Sequence, residues 1–177
     1  TTSPAESHTF TYDESYRLMS VTQGSRGSLS YTYGAGDRIA TVAVGGGGPT
    51  STQTYYADGS LRTSEWSPVS GVFRWDYSQT GQYETVTFPN GQTRAYAYDD
   101  QGRLVSLVNA LGSTTLAAFG YGYDHDYALG TDTMLGQRTS LSATLPAQGL
   151  SATSTTFRYD PLYQLTRTDY PATAPFN

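Results

Sequence analysis

The sequence has no cysteine, no lysine and no long hydrophobic run. Without cysteine the chain can form neither disulfides nor thiolate metal sites. All 10 basic residues are arginine, and the net charge of −5 leaves no basic stripe of the kind that binds nucleic acid. No apolar run approaches the roughly 20 residues of a membrane-spanning helix. The sequence therefore predicts neither a nucleic-acid partner nor a membrane span.

Tyrosine is the dominant large residue, with 16 copies against only 14% charged residues. A tyrosine ring covers a pleated surface while its hydroxyl stays hydrated or hydrogen-bonded, which suits a sheet with a solvated face. No segment combines helical apolar spacing with freedom from Gly, Pro and β-branched clusters. The start, Thr1-Thr2-Ser3-Pro4, has no signal-peptide pattern and indicates a mature product or an excised segment. The composition predicts an almost entirely β chain.

Residues 95–104 carry the pattern around which the chain is organised. Tyr96 and Tyr98 are two residues apart, so both rings lie on one face of an extended strand. Asp99 can accept hydrogen bonds from the backbone N–H groups just after it, and Gly102 tolerates the positive φ of a tight turn. Strand-forming residues follow. The pattern predicts a β-hairpin.

The same hairpin pattern recurs along the whole chain. Its marker tyrosines lie at Tyr12, Tyr33, Tyr56, Tyr77, Tyr98, Tyr123 and Tyr159. A period near 20 residues is too short for a βαβ unit and typical of a repeat in which each unit packs on its neighbours. We therefore predict one array, residues 1–177, of about seven repeats. Its signature residues are Tyr12, Asp13, Tyr33, Tyr56, Asp58, Gly59, Tyr77, Tyr96, Tyr98, Asp99, Gly102, Arg103, Leu104, Tyr123, Asp124, Tyr159 and Asp160.

Three segments interrupt the period. Residues 45–48, a run of four glycines, are interpreted as a flexible hairpin loop. Residues 124–136 place His125 among Asp124, Asp126 and Asp132, a group that indicates an enlarged turn with solvated charges, a weak ion site or a catalytic group. The spacing matches no calcium loop, so the enlarged turn is favoured. Residues 142–156 are dominated by Ser, Thr, Ala and Gly and are interpreted as loop-rich, either a long loop or a pair of weak strands.

Signals for catalysis are sparse. The chain has two histidines and no Gly-x-Ser-x-Gly elbow, so a nucleophile, base and orienting group cannot be assembled. Asp99 and Asp100 form a carboxylate pair, but the Asp99 position recurs with the period and is better explained by turn formation. We predict no enzyme, with no catalytic, metal or cofactor-binding residues.

The recurring pattern resembles the YD repeats of the rearrangement-hotspot (Rhs) family. Residues 96–104 match Tyr-x-Tyr-Asp-x-x-Gly-Arg-Leu completely, ending in Arg103 and Leu104. The copies at Tyr12-Asp13 and Tyr159-Asp160 match well. The copies at Tyr33 and Tyr77 lack the Asp that follows Tyr in the pattern. The resemblance covers essentially the whole chain.

The resemblance implies tandem antiparallel hairpins that join edge to edge into one curved, spiralling sheet, part of a shell or barrel. Similar proteins include bacterial polymorphic toxins, the cocoon subunits of Tc toxins and teneurins, which are secreted or displayed at the cell surface. The repeats of this family are structural, and the shell encloses or presents a toxin or adhesive domain. The implied partner is the remainder of a larger Rhs-type shell, or another copy of the chain joined through open sheet edges.

The alternative is a carbohydrate- or surface-binding module, because exposed Tyr and Trp on a sheet suit sugar stacking, and Trp66 and Trp75 are close in sequence. A cluster of exposed aromatic rings would favour binding. A regular tyrosine ladder between neighbouring hairpins would favour the structural role.

Overall fold

A computed structural model describes residues 7–124 and 136–171, which form an almost entirely antiparallel β-structure. The strands are β1 (His8–Tyr12), β2 (Leu18–Gln23), β3 (Gly27–Tyr33), β4 (Ile39–Val44), β5 (Thr50–Tyr55), β6 (Leu61–Ser67), β7 (Val69–Tyr77), β8 (Tyr83–Thr87), β9 (Gln92–Tyr98), β10 (Leu104–Leu111), β11 (Thr114–Tyr123), β12 (Arg138–Leu145), β13 (Leu150–Tyr159) and β14 (Leu165–Asp169). Their order in the sheet follows their order in the sequence. The predicted all-β chain of tandem hairpins is confirmed.

Contacts divide the chain into two units. The first comprises Thr1–Asp76 and Thr87–Asn90, and the second comprises Tyr77–Val86 and Gly91–Asn177. Two short 3-10 helices, Ala35–Asp37 and Pro146–Gln148, lie between strands, one in each unit. No helix in the described residues is both long and apolar enough to cross a membrane.

In the first unit the strand register places many small hydroxyl side chains on the same face of the sheet. Residues directly opposite in an antiparallel pair share a face. Ser20 lies opposite Ser30, and Thr41 lies opposite Thr52. Across three strand pairs the hydroxyls on this face hydrogen-bond to each other: Thr11 with Ser20, Thr32 with Thr41 and Thr54 with Thr63. One face of this unit is therefore rich in hydroxyl groups, and aromatic and aliphatic side chains such as Phe10, Val21 and Tyr31 lie on the other.

The first unit also holds an aromatic group on its apolar face. The Phe73 and Trp75 rings are stacked with centroids 6.0 Å apart, and Phe73 meets Phe88 edge-on at 5.9 Å. Trp66 is 53% exposed.

The second unit has little enclosed core. Val86, at 8% exposed, is the only hydrophobic side chain in the described residues that is buried. Tyr83 bridges two other rings, with centroids 5.1 Å from Tyr77 and 6.0 Å from Tyr96. Because few side chains are enclosed, cross-strand pairs and contacts between turns must supply much of the specific stabilisation.

The segment 142–156 is not loop-rich. Most of it lies in β12 and β13, which pair through Ser142 opposite Ser154 and Leu141 opposite Thr155. Of the two alternatives left open by the sequence, the pair of strands is the one observed. Backbone pairing with neighbouring strands outweighs the weak strand preference of Ser, Ala and Gly. Of the four ion-site candidates, Asp124 is described, and His125, Asp126 and Asp132 lie outside the described residues.

Candidate functional site

The repeated chemistry of this chain lies in its hairpin turns, each built from five residues that we number positions 1 to 5. In the turn Asp99–Arg103, the backbone N–H of Asp99 donates to the carbonyl of Arg103 at 3.0 Å, and that of Gly102 donates to the carbonyl of Asp99 at 2.9 Å. Asp99 Oδ1 accepts hydrogen bonds from the backbone N–H groups of Gln101 and Arg103 at 3.0 and 2.9 Å. One carboxylate oxygen thus satisfies two donors that the tight turn leaves without strand partners.

The same backbone closure recurs in the other turns. Position 1 is held by Asp13, Gly34, Tyr56, Ser78, Asp99 and Asp160, and in each turn its N–H donates to the position 5 carbonyl at 2.8–3.0 Å. The turns that follow Tyr33 and Tyr77, which lack Asp after the tyrosine, therefore form as well. In one of them Ser78 Oγ replaces the carboxylate and accepts from the N–H groups of Thr80 and Gln82, both at 3.2 Å.

At position 4 the backbone adopts the left-handed conformation with positive φ, for which the sequence pattern predicts glycine. Gly59, Gly81 and Gly102 have φ values of 95°, 80° and 78°. Non-glycine residues adopt the same conformation in three other turns: Tyr16 at 61°, Asp37 at 58° and Tyr163 at 63°. The closing hydrogen bonds are strong enough together to hold an L-residue where its Cβ is disfavoured.

The turn that begins at Asp124 closes across the long excursion. Its N–H donates to the Gln137 carbonyl at 2.9 Å, and Gly136 has a φ of 71°. Asp124 Oδ1 is buried and has no hydrogen-bond partner among residues 7–124 and 136–171.

In four of the described repeats, a tyrosine immediately before the turn joins the repeat to the one before it. The Tyr33 hydroxyl donates to the Leu18 carbonyl at 2.8 Å. Three further tyrosines donate at 2.9 Å to the carbonyl of the residue that follows the preceding turn: Tyr55 to Ile39, Tyr123 to Leu104 and Tyr159 to Arg138. We call this hydrogen bond the tyrosine clasp.

The arginine at position 5 of the preceding turn lies over the ring of the tyrosine that makes the clasp. The Arg17 guanidinium carbon lies 4.6 Å from the Tyr33 ring centroid, and that of Arg103 lies 4.7 Å from the Tyr123 centroid. Cation–π attraction at these distances adds to the hydrogen bond. Arg103 is itself held by Asp99, whose Oδ2 accepts from Arg103 Nε at 2.7 Å. Asp99 therefore holds the Arg103 guanidinium over the Tyr123 ring of the next repeat.

The side chain at position 5 also contacts the residue at position 4 of the next turn. Arg17 Nη1 lies 2.6 Å from Asp37 Oδ1. Two glutamines at position 5 use their amides in the same way: Gln82 Nε2 donates to the Gly102 carbonyl at 2.8 Å, and Gln137 Nε2 donates to the Tyr163 carbonyl at 3.2 Å. This turn-to-turn contact and the tyrosine clasp both couple a repeat to its successor.

The third repeat is offset by one residue from the sequence interpretation. Tyr55, not Tyr56, precedes the turn and makes the clasp. Tyr56 is instead position 1, and its hydroxyl donates to Asp76 Oδ1 at 2.7 Å. Asp58 falls at position 3, where its Oδ1 accepts from the backbone N–H of Ser60 at 2.9 Å. Two adjacent tyrosines left the register ambiguous, and only the strand pairing resolves it.

These hydrogen bonds shift the ionisation of the turn groups. The backbone N–H of Arg17 is the main cause of the lowered pKa of Asp13. Partial desolvation would raise the pKa of Asp99, but hydrogen bonds from the backbone and guanidinium of Arg103 outweigh it and the pKa is lowered. The backbone N–H of Ser60 lowers the pKa of Asp58. The hydrogen bond to Asp76 raises the pKa of the Tyr56 hydroxyl. All three turn carboxylates are therefore held in their charged form.

Sequence reasoning found the turns but missed the contacts between them. Tyr55, Gln82 and Gln137 were not among the predicted residues, although the polar residue at position 5 recurs with the period and was a readable signal. The backbone carbonyls that accept the clasp hydrogen bonds cannot be identified from the sequence, because every residue has a carbonyl. The arrangement holds neighbouring hairpins in register.

Comparison with known proteins agrees with this repeat chemistry. The RHS Repeat family model matches residues 77–114, which include the turn at Asp99–Arg103. The predicted resemblance to the Rhs family is confirmed. No curated protein matches the sequence.

Solved structures of Tc toxin components share the fold. The match to the crystal structure of TcdB2–TccC3–Cdc42 has a TM-score of 0.68 at 17% identity and covers 87% of this chain and 8% of that one. A Photorhabdus luminescens Tc holotoxin pore matches with a TM-score of 0.65 at 18% identity, over 94% of this chain and 9% of that one. The crystal structure of TcdB2–TccC3 matches with a TM-score of 0.67 at 18% identity, over 95% and 10%. This chain thus spans a tenth or less of the length of these chains.

Proposed function

We propose that this chain, which carries an RHS repeat, is a non-catalytic stretch of β-sheet wall in a secreted or cell-surface Rhs-type protein. In that protein the wall encloses or presents a toxin or adhesive domain. The tyrosine clasp carries the proposal, because it recurs in four of the described repeats and joins each of these to the repeat before it. Its groups are engaged in structural contacts, as a wall requires.

The comparisons support the same role. The three solved structures described above each contain TccC3, and this chain covers only a small part of those chains. A piece of about 9% fits a role as one portion of a wall completed by further repeats.

Limited proteolysis of the full-length polypeptide tests the proposal. A double variant, Tyr33→Phe with Tyr123→Phe, removes two clasp hydrogen bonds and is expected to make an enclosed domain severalfold more sensitive to protease. The matched control, Tyr16→Phe with Tyr170→Phe, alters tyrosines that are 90% and 73% exposed and should leave protection unchanged. An enclosed domain that is cleaved equally fast in the native protein and both variants would contradict the proposal.

A second candidate, carbohydrate binding, rests on the aromatic group of Phe73, Trp75 and Phe88 and on the exposed Trp66 ring. Stacking on a sugar would quench tryptophan fluorescence. Titration with a panel of oligosaccharides, with Trp66→Ala as the comparison, tests it. Saturable quenching that is lost in the variant would favour binding, and no quenching would remove this candidate.

A further inference from the structure

One hairpin of the second unit has a tyrosine on both strands beside its turn. In the other described hairpins of this kind, the residue just before position 1 lies directly opposite the residue just after position 5. These opposite residues are Tyr12 with Leu18, Tyr33 with Ile39, Tyr55 with Leu61, Tyr98 with Leu104, Tyr123 with Arg138 and Tyr159 with Leu165. Around the turn Ser78–Gln82 the same two places hold Tyr77 and Tyr83. A second tyrosine therefore replaces the aliphatic residue or arginine of the other hairpins.

The Tyr77 and Tyr83 rings are in contact. Their centroids lie 5.1 Å apart, and the ring planes are inclined by 31°. Directly opposite Cβ atoms of an antiparallel pair lie about 4.5–5.5 Å apart. Because the two side chains are identical in length and start from opposite places, their Cε carbons, which flank the hydroxyls, lie at similar distances from the backbone. This arrangement suits a carbon–carbon bond between the two rings.

Tyr83 is also accessible to an oxidant, since its side chain is 44% exposed. The other ring that it contacts, Tyr96, lies farther away, with centroids 6.0 Å apart and planes inclined by 35°. The chain has no cysteine, so no thiol competes for a one-electron oxidant. A radical formed on Tyr83 thus has Tyr77 as its nearer partner.

We propose that Tyr77 and Tyr83 form a site of dityrosine cross-linking by a haem peroxidase with hydrogen peroxide. The enzyme removes one electron and one proton from each phenol, and the peroxide is reduced to two molecules of water. The two tyrosyl radicals couple through a bond between one Cε carbon of each ring. The hydrogens on the bonded carbons then move to the oxygens, which restores both phenols. The product has two hydrogen atoms fewer than the starting chain.

The cross-link would fasten the end of β7 covalently to the start of β8. A chain without cysteine cannot make this connection with a disulfide. The inference rests on the proposed function in one respect, because a secreted or cell-surface chain is one that an extracellular peroxidase can reach.

Peptide mapping identifies the cross-linked pair. The full chain is oxidised at low concentration with a haem peroxidase and hydrogen peroxide, and the monomer is isolated and digested with trypsin. Cleavage after arginine leaves Tyr77 and Tyr83 together in the peptide 75–94, and Tyr96 in the peptide 95–103. The expected product is the peptide 75–94, lighter by two hydrogen atoms and with dityrosine fluorescence. A predominant cross-link between the two peptides would instead assign the bond to Tyr96 and overturn the inference.

Variants test whether the fold selects this pair. Tyr77→Phe and Tyr83→Phe should each abolish the lighter peptide, whereas Tyr16→Phe, which alters a side chain that is 90% exposed, should leave its yield unchanged. A synthetic peptide of residues 75–94, oxidised in the same way, should give a severalfold lower yield, because an isolated hairpin is marginally stable at best.

Absence of the lighter peptide from the oxidised monomer, or an equal yield from the full chain and the synthetic peptide, would overturn the inference. None of these results depends on domain protection in the full-length protein, so the two proposals fail separately.

Discussion

Tyrosine stabilises this chain through two parts of its side chain, the ring and the hydroxyl. The ring lies beneath an arginine, and the hydroxyl reaches a carbonyl one repeat away, as Tyr123 does with Arg103 and Leu104. Phenylalanine would keep the first contact and lose the second. Few side chains are enclosed here, so a single hydrogen bond forms a larger share of the specific contacts than in a thick core.

Tyr123→Phe is expected to lower the free energy of unfolding by about 1 kcal/mol, because the Leu104 carbonyl loses its hydroxyl donor. Urea denaturation followed by tyrosine fluorescence measures it. Tyr16→Phe is the control, since the Tyr16 side chain is 90% exposed and should change stability little. Equal effects of the two substitutions would contradict a stabilising clasp.

The turn aspartates make the stability of the folded chain depend on pH. The pKa values of Asp13, Asp58 and Asp99 are lowered from their ordinary value of 3.8, so each group stabilises the folded state when charged. That stabilisation is fully present above the unfolded pKa and is lost as the pH falls through the lower folded pKa. We expect the urea midpoint to be level from neutral pH to about pH 5 and to fall at lower pH.

Asp99→Asn should make that acid-dependent fall shallower, because the substituted side chain no longer titrates. The exposed neighbour Asp100 offers a matched control, and Asp100→Asn should leave the slope as it is. Urea midpoints measured between about pH 2.5 and pH 7 give the comparison. If the two variants have the same slope, the stabilising role of the Asp99 carboxylate is wrong.

At the scale of the element, one turn conformation is built from different residues. Asp, Ser, Gly and Tyr all occupy position 1, because the N–H to carbonyl closure needs only the backbone. What distinguishes the turns is the neighbour that packs on position 4. A Cβ added at Gly59 would overlap the Arg38 guanidinium and lie 2.6 Å from its Cζ, whereas one added at Gly81 would meet nothing within 4 Å.

Gly59→Ala should therefore destabilise the chain more than Gly81→Ala. Both substitutions pay about 1–2 kcal/mol for an L-residue at positive φ. Gly59→Ala also displaces Arg38 from the Tyr55 ring, which lies 5.7 Å from its guanidinium carbon, and should cost about 1 kcal/mol more. Urea denaturation measures both. In an Arg38→Ala background the difference should vanish, and its persistence would contradict the packing argument.

At the scale of the whole molecule, each strand packs mainly on its neighbours in sequence. Stability in such a structure is close to a sum of terms within repeats and between adjacent repeats. A loss at one clasp should then remain local.

Tyr55→Phe should lower amide protection in β4, β5 and β6 while β12 and β13 keep theirs, because the Ile39 carbonyl is the group that loses its donor. Hydrogen exchange followed by mass spectrometry measures both regions in one sample. Uniform loss of protection across the described strands would show that the sheet opens as one cooperative body instead.

Sequence patterns were enough to predict the hairpin repeat, the turns other than the one at Tyr56, and the all-β fold. Those features depend on residues a few places apart: alternation along a strand, an aspartate that accepts from its own turn, and a glycine at positive φ. At 142–156 the composition left a long loop and a pair of weak strands as alternatives, and strand pairing produces β12 and β13.

Tertiary structure alone decided the contacts between repeats. Whether Tyr55 or Tyr56 makes the clasp depends on which backbone carbonyl lies opposite, and carbonyls are the same in every residue. Likewise, the hydroxyl face and the apolar face exist only once Ser20 is aligned with Ser30, and Thr41 with Thr52. The physical reason is that register is a relation between strands: a shift of one residue would exchange the two faces without changing any local pattern.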